Sequence, residues 1–379
     1  MKILFVSDDF LPAVTGVGIH TQQLAKELVR QGHQVTVLTS AGLNFTMTSK
    51  TEYWFQVKIF RTRTIVVAAF PQALPLPFEI SLFLKKEKPD LIHYHYLSIL
   101  AAMTSRIAKK EKIPELMTYH FSPDVLTEPW FMRPFRNFVR YLALNFSNKM
   151  STIISPSIGI KKYLEKNGHT SPVLHITNPI PFDLSHVDSS AKIKSPNFTV
   201  LYAGRLAIEK NVTFLLMGFK ELLNSSPDAI LWLAGAGPLE HQLKILCEEL
   251  GIKNNVKFLG HLNHQELIHY YQNCDVFVLP SLLETLSLVA IEAMSLAKPL
   301  IVTDKIISAM ELVEHEVNGY IVNSESTSEL ASRLSELATN PQLLKKMSEA
   351  SLNHSKNFDL KIVMKKMLDT YQQVINQHD

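Results

Sequence analysis

Apolar residues along this chain fall into short runs, separated by longer stretches in which they recur every three or four positions. A short continuous run bounded by turn residues fits a strand buried on both faces, and the longer period is that of an amphipathic helix. The runs predict strands at Lys2–Val6, Gln34–Thr39, Leu91–His95, Leu116–His120, Thr152–Ser155 and Val173–Ile176. The pattern then restarts with FTVLYAG (198–204), AILWLAG (229–235), NVKFLG (255–260), DVFVLP (275–280) and KPLIVTD (298–304). Between the first two strands, HTQQLAKELVRQGH predicts a helix stopped by Gly32 at its C-terminus. From Ala331 onward the pattern is helical throughout, apart from a break near Asn357–Asp359.

Strand–helix alternation of this kind builds βαβ units and a parallel sheet, whose ligands bind at the carboxyl ends of the strands. The two series are joined by the polar-rich stretch PFDLSHVDSSAKIKSPN, residues 181–197, which reads as a linker. The expected architecture is therefore α/β, with two Rossmann-like domains (residues 1–180 and 198–357) facing each other across a cleft, and a closing helix over 358–379.

Composition agrees. With 379 residues, 46% hydrophobic and 19% charged, the chain has the length for two domains and the balance of a core-forming protein. The net charge of +3 hides an asymmetry: 21 Lys and Arg oppose 13 Asp and Glu over residues 1–185, a net of +8, leaving −5 for the rest. That excess suits an anionic partner such as a phospholipid surface or a phosphorylated substrate, and ordinary solubilising charge explains it equally well. Cys247 and Cys274 have neither disulfide-framework nor metal-ligand spacing and read as core residues in a reducing compartment. MKILFVSDDF reads as a buried strand rather than a signal peptide, and no apolar run approaches the 18 residues of a spanning helix.

Three segments carry candidate chemistry. TGVGIH (15–20) joins the first strand to the first helix, where Gly16 permits close backbone approach and free helix N–H groups suit an anion. It fails as a dinucleotide fingerprint, because Thr21 stands where a third glycine is required and no acid ends the second strand. In AGRLAIEKN (203–211), Arg205 and Lys210 follow a strand end and suit a diphosphate. In VLPSLLETLSLVAIEAMS (278–295), Glu284 precedes a helix and Glu292 lies about two turns into it. Glu284 is placed to face sugar hydroxyls and Glu292 to accept from a ribose diol, with the N–H groups around Leu286, Ser287 and Leu288 open to phosphate oxygens. The structural alternative makes Glu284 a helix N-terminal acid and Glu292 a solvated residue. Its apolar neighbours Ala290, Ile291, Ala293 and Met294 make an idle carboxylate at Glu292 costly.

Along nearly its whole length the chain resembles the retaining GT-B glycosyltransferases of family 4 (glycosyl transferases group 1). TGVGIHTQQLAKELVRQGHQVTVLT resembles their opening loop and first helix; PDLIHYH and MTYH resemble two histidine-bearing strands; ISPS and ITNPI resemble the end of the first domain. GRLAIEKN resembles the element that holds the donor diphosphate, and PSLLETLSLVAIEAMSLAKPLIVTD the Glu-x7-Glu signature. The resemblance implies an acceptor-binding first domain, a donor-binding second domain and a last helix packing back on the first. It implies that Arg205 and Lys210 neutralise the leaving diphosphate, that Glu284 contacts the transferred sugar, that Glu292 binds the ribose, and that His120 sits near the reacting sugar. His93 and His95 share a strand face without an evident third ligand; His95 is a candidate cleft residue, with the structural reading favoured.

The implied reaction moves a hexose from a nucleoside diphosphate sugar, UDP favoured over GDP, to a hydroxyl with retention. Without an Asp-x-Asp motif, neither a metal nor any other cofactor is expected. EPWFMRPFRNFVRYLALNF (128–146) sets Arg133, Arg136 and Arg140 among Trp130, Phe131, Phe135, Phe138 and Tyr141 at helical spacing, and YWFQVKIFRTR (53–63) is similar. Either stretch suits an anionic membrane surface and hence a lipid or lipid-linked glycan acceptor; a core-packed helix with a basic edge is the plainer alternative. A cytoplasmic protein is expected, free or peripherally attached to a membrane, with no nucleic-acid partner. Departures from the family pattern stand at Thr15, at Thr285–Ser287 and at Ile307–Met310, where glycines are usual and only Glu311 of the last loop is kept. They leave open a catalytically weak binding or regulatory subunit, and a sugar-nucleotide epimerase shares the fold.

Overall fold

The computed structural model describes residues 1–11, 15–41, 48–67, 70–95, 97–120, 133–180 and 197–378. The chain divides into two compact units, Met1–Pro181 with Leu360–Asp379, and Phe182–Asp359. Most of the 181–197 stretch, and Trp130 and Phe131, lie outside the described residues.

In the first unit the chain runs β1 (Lys2–Val6), α1 (Gly16–Arg30), β2 (Gln34–Thr39), β3 (Lys50–Trp54), β4 (Val57–Arg61), β5 (Thr64–Val67) and β6 (Phe70–Ala73). It continues with α2 (Pro77–Glu87), β7 (Leu91–Tyr94), α3 (Ile99–Ala108), β8 (Glu115–Thr118), α4 (Arg136–Ser147), β9 (Thr152–Ser155), α5 (Ile158–Lys166) and β10 (Val173–His175). Eight strands form one sheet in the order β10-β9-β8-β7-β1-β2-β4-β3, parallel except for β3. β1 pairs with β2 on one side and β7 on the other, so the strand order reverses there. The expected strands appear, several one to three residues shorter. α1 ends one residue before Gln31, and Gly32 takes the left-handed conformation that stops it.

The second unit runs β11 (Thr199–Ala203), α6 (Val212–Leu222), β12 (Ile230–Ala234), α7 (Glu240–Glu249), β13 (Val256–Gly260), α8 (His264–Asn273) and β14 (Val276–Leu279). Then follow α9 (Leu288–Ser295), β15 (Leu300–Thr303), α10 (Ala309–Leu312), β16 (Gly319–Val322), α11 (Thr327–Thr339) and α12 (Pro341–Ser355). Its six strands are all parallel, in the order β13-β12-β11-β14-β15-β16. That is the doubly wound Rossmann order, with its reversal between β11 and β14. β11, β14 and β15 are buried along their whole length, as expected where helices cover both faces of a sheet.

The last helix, α13 (Leu360–Asn376), belongs to the first unit. Its Val363, Met364, Met367, Tyr371 and Val374 lie in the same core as Ile3 and Phe5 of β1, Leu24 and Leu28 of α1, and Val35 and Val37 of β2. The closing segment is broken at Asn340 as well as near Asn357. Asn340 caps α12 through its side chain, and Pro341 takes the first helical position, where a missing N–H costs nothing. Both cysteines are buried and unpaired, and burial pushes their thiols up, to about 11 for Cys247 and about 12 for Cys274.

Candidate active site

In the second unit the loops that leave β11 and β14 flank the point where strand order reverses, the usual ligand position in such sheets. Three glycines let the first loop rise there. A Cβ on Gly235 would lie 1.9 Å from the Gly204 carbonyl oxygen, and one on Gly237 would lie 2.3 Å from that of Leu206. Only hydrogen fits at either place, so the ends of β11 and β12 pack backbone to backbone. Leu206 then donates its amide to the Ala236 carbonyl at 3.0 Å, fixing the start of the Arg205–Asn211 loop.

That loop is tied to the one after β14. The Leu282 amide donates to the Glu209 carbonyl at 2.9 Å, and Lys210 Nζ donates to Glu284 Oε2 at 2.5 Å. Both side chains of this ion pair are about four-fifths buried. Arg205, far more exposed, pairs with Glu209 at 2.5 Å instead. Burial works against the Glu209 carboxylate, but the bond from Arg205 and the charges of Arg205 and Lys210 hold its pKa below the ordinary value. Arg205, Lys210 and Glu284 thus share one loop cluster, with each cation already on a carboxylate.

Glu284 is followed by the short turn to α9. Ser287 is the N-cap of that helix, accepting from the Ala290 amide at 3.4 Å, so the departure from glycine serves as a cap. Leu288 opens the helix, and its amide and that of Val289 have no acceptor within it. Leu286 is buried beside them. Glu292 is the fifth residue of α9, little more than one turn in rather than two, because the helix begins at Leu288. The residue is only 5% exposed. Tyr271 of α8 donates its hydroxyl to Glu292 Oε2 at 2.9 Å, and His264 Nδ1 lies 3.8 Å from Oε1. Burial raises the Glu292 pKa to about 7, the Tyr271 bond opposing it. The solvated-face alternative for Glu292 is therefore excluded. The Ile307 amide donates to the Glu284 carbonyl at 3.0 Å, which brings the Ile307–Glu311 loop against the same cluster.

In the first unit Gly16 opens α1, and Thr15 caps it. Thr15 accepts from the Gly18 amide at 3.1 Å and donates to the Asp9 carboxylate. An acid therefore occupies the helix end expected to face an anion, and one of its amides is taken. His120 follows β8 and is 8% exposed; its Nε2 lies 3.3 Å from Nδ1 of His95, which follows β7. His20 of α1 completes a buried trio with them. His93 stands apart chemically, since its two nitrogens meet the Tyr371 hydroxyl and Thr118 Oγ1, each at 2.7 Å. Both His93 and His95 are fully buried, in keeping with the structural reading of that strand. A surface groove of about 600 Å³ lined by Leu84, Lys88, Asp90 and Ile113 lies at the opposite, amino-terminal end of these strands and holds none of these residues.

The two halves match two family models end to end, residues 14–184 "Glycosyltransferase Family 4" and residues 187–354 "Glycosyl transferases group 1". The chain is a family 4 glycosyltransferase. Its relatives include the alpha-monoglucosyldiacylglycerol synthases of Acholeplasma laidlawii and Streptococcus pneumoniae, each 25% identical. The first match covers 100% of this chain and 98% of the relative, the second 86% and 78%. Among solved structures, this transferase shares its fold with sucrose-phosphate synthase of Thermosynechococcus elongatus (TM-score 0.79, 19% identity, 99% of both chains). It shares it likewise with Anabaena HepE in complex with UDP (TM-score 0.77, 21% identity, 98% of this chain and 100% of that one). The fold is accordingly GT-B, two Rossmann-like domains.

Sequence reasoning passed over Glu209, Tyr271 and His20. Glu209 stands four residues from Arg205, a spacing that signals a pair on a helical turn. Tyr271 reaches Glu292 across 21 residues, and no local pattern marks it. His20 lies within the opening motif but was overshadowed by its glycines.

Proposed function

We propose that this transferase moves a hexose from a nucleoside diphosphate sugar, UDP-linked in preference to GDP-linked, to a lipid or lipid-linked hydroxyl, with retention at the anomeric carbon. The observation that carries the reading is the Lys210–Glu284 pair, which joins the loops after β11 and β14 where strand order reverses. A diphosphate arriving there offers Lys210 and Arg205 a doubly charged partner in place of one carboxylate each. The Leu288 and Val289 amides at the start of α9 add donors. Glu284, released from Lys210, accepts from hydroxyls of the transferred sugar. Glu292 Oε2 is held by Tyr271, so Oε1 is the oxygen left for a ribose hydroxyl.

In this reaction the bond from anomeric carbon to diphosphate breaks, and the acceptor oxygen adds on the same face. The departing diphosphate takes the acceptor's proton while Arg205 and Lys210 stabilise its growing charge. With no Asp-x-Asp in the sequence, these two cations rather than a carboxylate-held metal neutralise the diphosphate. His120 is assigned to the neighbourhood of the reacting sugar. A UDP-bound structure of the same fold and the two glycolipid synthases among the relatives support donor and acceptor respectively.

The lipid side of the proposal is supported by α4. Phe138, Tyr141 and Leu142 recur at helical spacing on its outer face, with Phe138 60% and Tyr141 63% exposed, while Ala143 and Phe146 face inward. Arg133, Arg136 and Arg140 lie in the same stretch of chain, Arg133 exposed and the other two half-buried. The other basic–aromatic stretch fits less well. It folds as the β3–β4 hairpin, where Lys58, Arg61 and Arg63 pair with Glu87, Glu52 and Glu79. Among the described residues no helix is long and apolar enough to cross a membrane, so attachment would be peripheral.

Thermal denaturation with UDP or GDP, and glucose transfer from UDP-glucose to diacylglycerol in anionic vesicles, test the proposal. UDP should raise the melting temperature, and Lys210→Ala should abolish the rise. No stabilisation by either nucleotide would favour the binding-subunit alternative.

A further inference from the structure

The amino-terminal end of the first unit's sheet carries a duplicated stretch of sequence that sugar transfer does not use. KKEKPDL (85–91) leads into β7, and KKEKIPEL (109–116) leads into β8. These strands are adjacent and parallel, with Ile92 opposite Glu115, and the Ile92 amide donates to the Pro114 carbonyl at 2.9 Å. The two copies therefore lie side by side, and both line the surface groove of about 600 Å³. Lys85, Lys88 and Lys112 meet Leu84, Ile113 and, from α13, Ile375 around it. The three apolar residues are buried or half-buried and the three lysines exposed, so charge stands over an apolar wall. A volume of this size is that of a small-molecule site.

Cations at the end of a helix offset its dipole in any protein, which accounts for Lys85 and Lys86 in the last turn of α2. It does not account for Lys88 and Lys112. Both take the left-handed conformation, with φ 46° and 53°, where a Cβ is crowded and glycine or asparagine is the unstrained choice. Each copy thus keeps a lysine where the backbone alone favours glycine. The acids of the repeat are already engaged. Glu87 pairs with Lys58 at 2.6 Å, Glu111 faces Lys85 at 3.9 Å, and Asp90 accepts from the Lys2 amide at 2.7 Å. Among the described residues neither Lys88 nor Lys112 has a carboxylate within ion-pair distance.

We propose that this groove binds a small, multiply charged anion with an apolar or aromatic body, phosphate esters foremost. Lys88 and Lys112 supply two mobile point charges to its anionic groups, while Leu84, Ile113 and Ile375 cover its body. The assignment does not rest on the transferase reading. The groove lies at the opposite end of the strands from His120 and shares no residue with the Arg205–Glu284 cluster.

The test titrates the full chain with pyranine, a fluorescent pyrene trisulfonate that joins an aromatic body to several anionic groups. The expected result is an equivalent of probe that tripolyphosphate displaces and that Lys210→Ala, in the second unit, leaves in place. The double variant Lys88→Gly with Lys112→Gly should weaken this binding about tenfold or more. Its melting temperature should hold or rise, because glycine suits the left-handed backbone. Wild-type chain that binds no such equivalent overturns the proposal whether or not the variant folds. So does binding that survives in the folded double variant, or that is lost in Lys210→Ala instead. Displacement by polyglutamate but not by tripolyphosphate would assign the groove to an acidic peptide and equally overturn it.

Discussion

Replacing Glu292 by Gln should stabilise the second unit, and the gain should grow with pH. Glu292 is a carboxylic acid almost wholly removed from water, with its pKa raised from 4.5 to about 7. In the unfolded chain it ionises near 4.5; in the folded chain it keeps its proton until about 7. Below the lower value both states are protonated and the group is neutral to stability. Between the two, the folded state holds a proton that the unfolded state has lost, so stability falls as pH rises. Above 7 the full cost is present. At about 1.4 kcal/mol per pKa unit it amounts to about 3 kcal/mol. Gln keeps the shape, can still accept from Tyr271, and never ionises. The difference in melting temperature between Glu292→Gln and wild type should therefore be small at pH 4.5 and widen to roughly 6–12 °C by pH 8. Scanning calorimetry at half-unit pH steps reads it directly. The buried histidines are common to both proteins and cancel; His264, 3.8 Å from Oε1, is a close titrating neighbour present in both. A difference that stays flat from pH 4.5 to 8, or shrinks, would refute burial as the state of this carboxylate. The same variant should bind UDP more weakly, which sets stability against donor affinity at one atom.

Lys210→Ala should lower the turnover of UDP-glucose by roughly 100- to 1,000-fold, as loss of one charge-stabilising donor does, and Arg205→Ala should act in the same sense; full turnover in the double variant would remove both from the mechanism. Acid should unfold the first unit early. Burial lowers the His20 pKa from 6.5 to about 4, so the unfolded chain takes up a proton first, and about 3 kcal/mol is lost as pH falls from 6.5 to 4. His20→Asn should flatten that part of the pH–stability curve. Phe138→Ser with Tyr141→Ser should reduce binding to anionic vesicles in flotation without lowering the melting temperature, since both rings are exposed. Gly235→Ala should cost roughly 1–3 kcal/mol in chemical denaturation, its Cβ having no room beside the Gly204 carbonyl.

Much of this was legible because parallel strands buried on both faces leave continuous apolar runs, here short and bounded by turn residues. β1, β2 and β9 have the bounds the pattern predicts. The β3–β4 hairpin escaped because its turn, Phe55–Gln56, takes left-handed φ values of 46° and 65° without the glycine, asparagine or aspartate that announces such turns. β16 escaped because four residues after a loop carry too little period to count. At the candidate site, which residues share a loop cluster was readable and how they pair was not. That Lys210 and Glu284 belong together followed from motif, but that they form a pair with each other, and that Glu209 holds Arg205, depends on loops meeting across 74 residues and within one turn respectively. The same holds for Glu292, whose apolar neighbours foretold burial but not the hydroxyl of Tyr271.

The placement of α13 sets an order on how this chain can be made. A ribosome releases β1 first and α13 last, yet Met364, Met367 and Tyr371 fill the core against which β1 and α1 pack. The whole second unit emerges in between and can close its own core while the first still waits. Until the last helix arrives, one nitrogen of His93 has no Tyr371 to meet it, and the apolar face beneath α13 stays wet. The half that starts the chain is thus the half that finishes folding, and a transcript cut short near its end would release a sound second domain attached to an unfinished first.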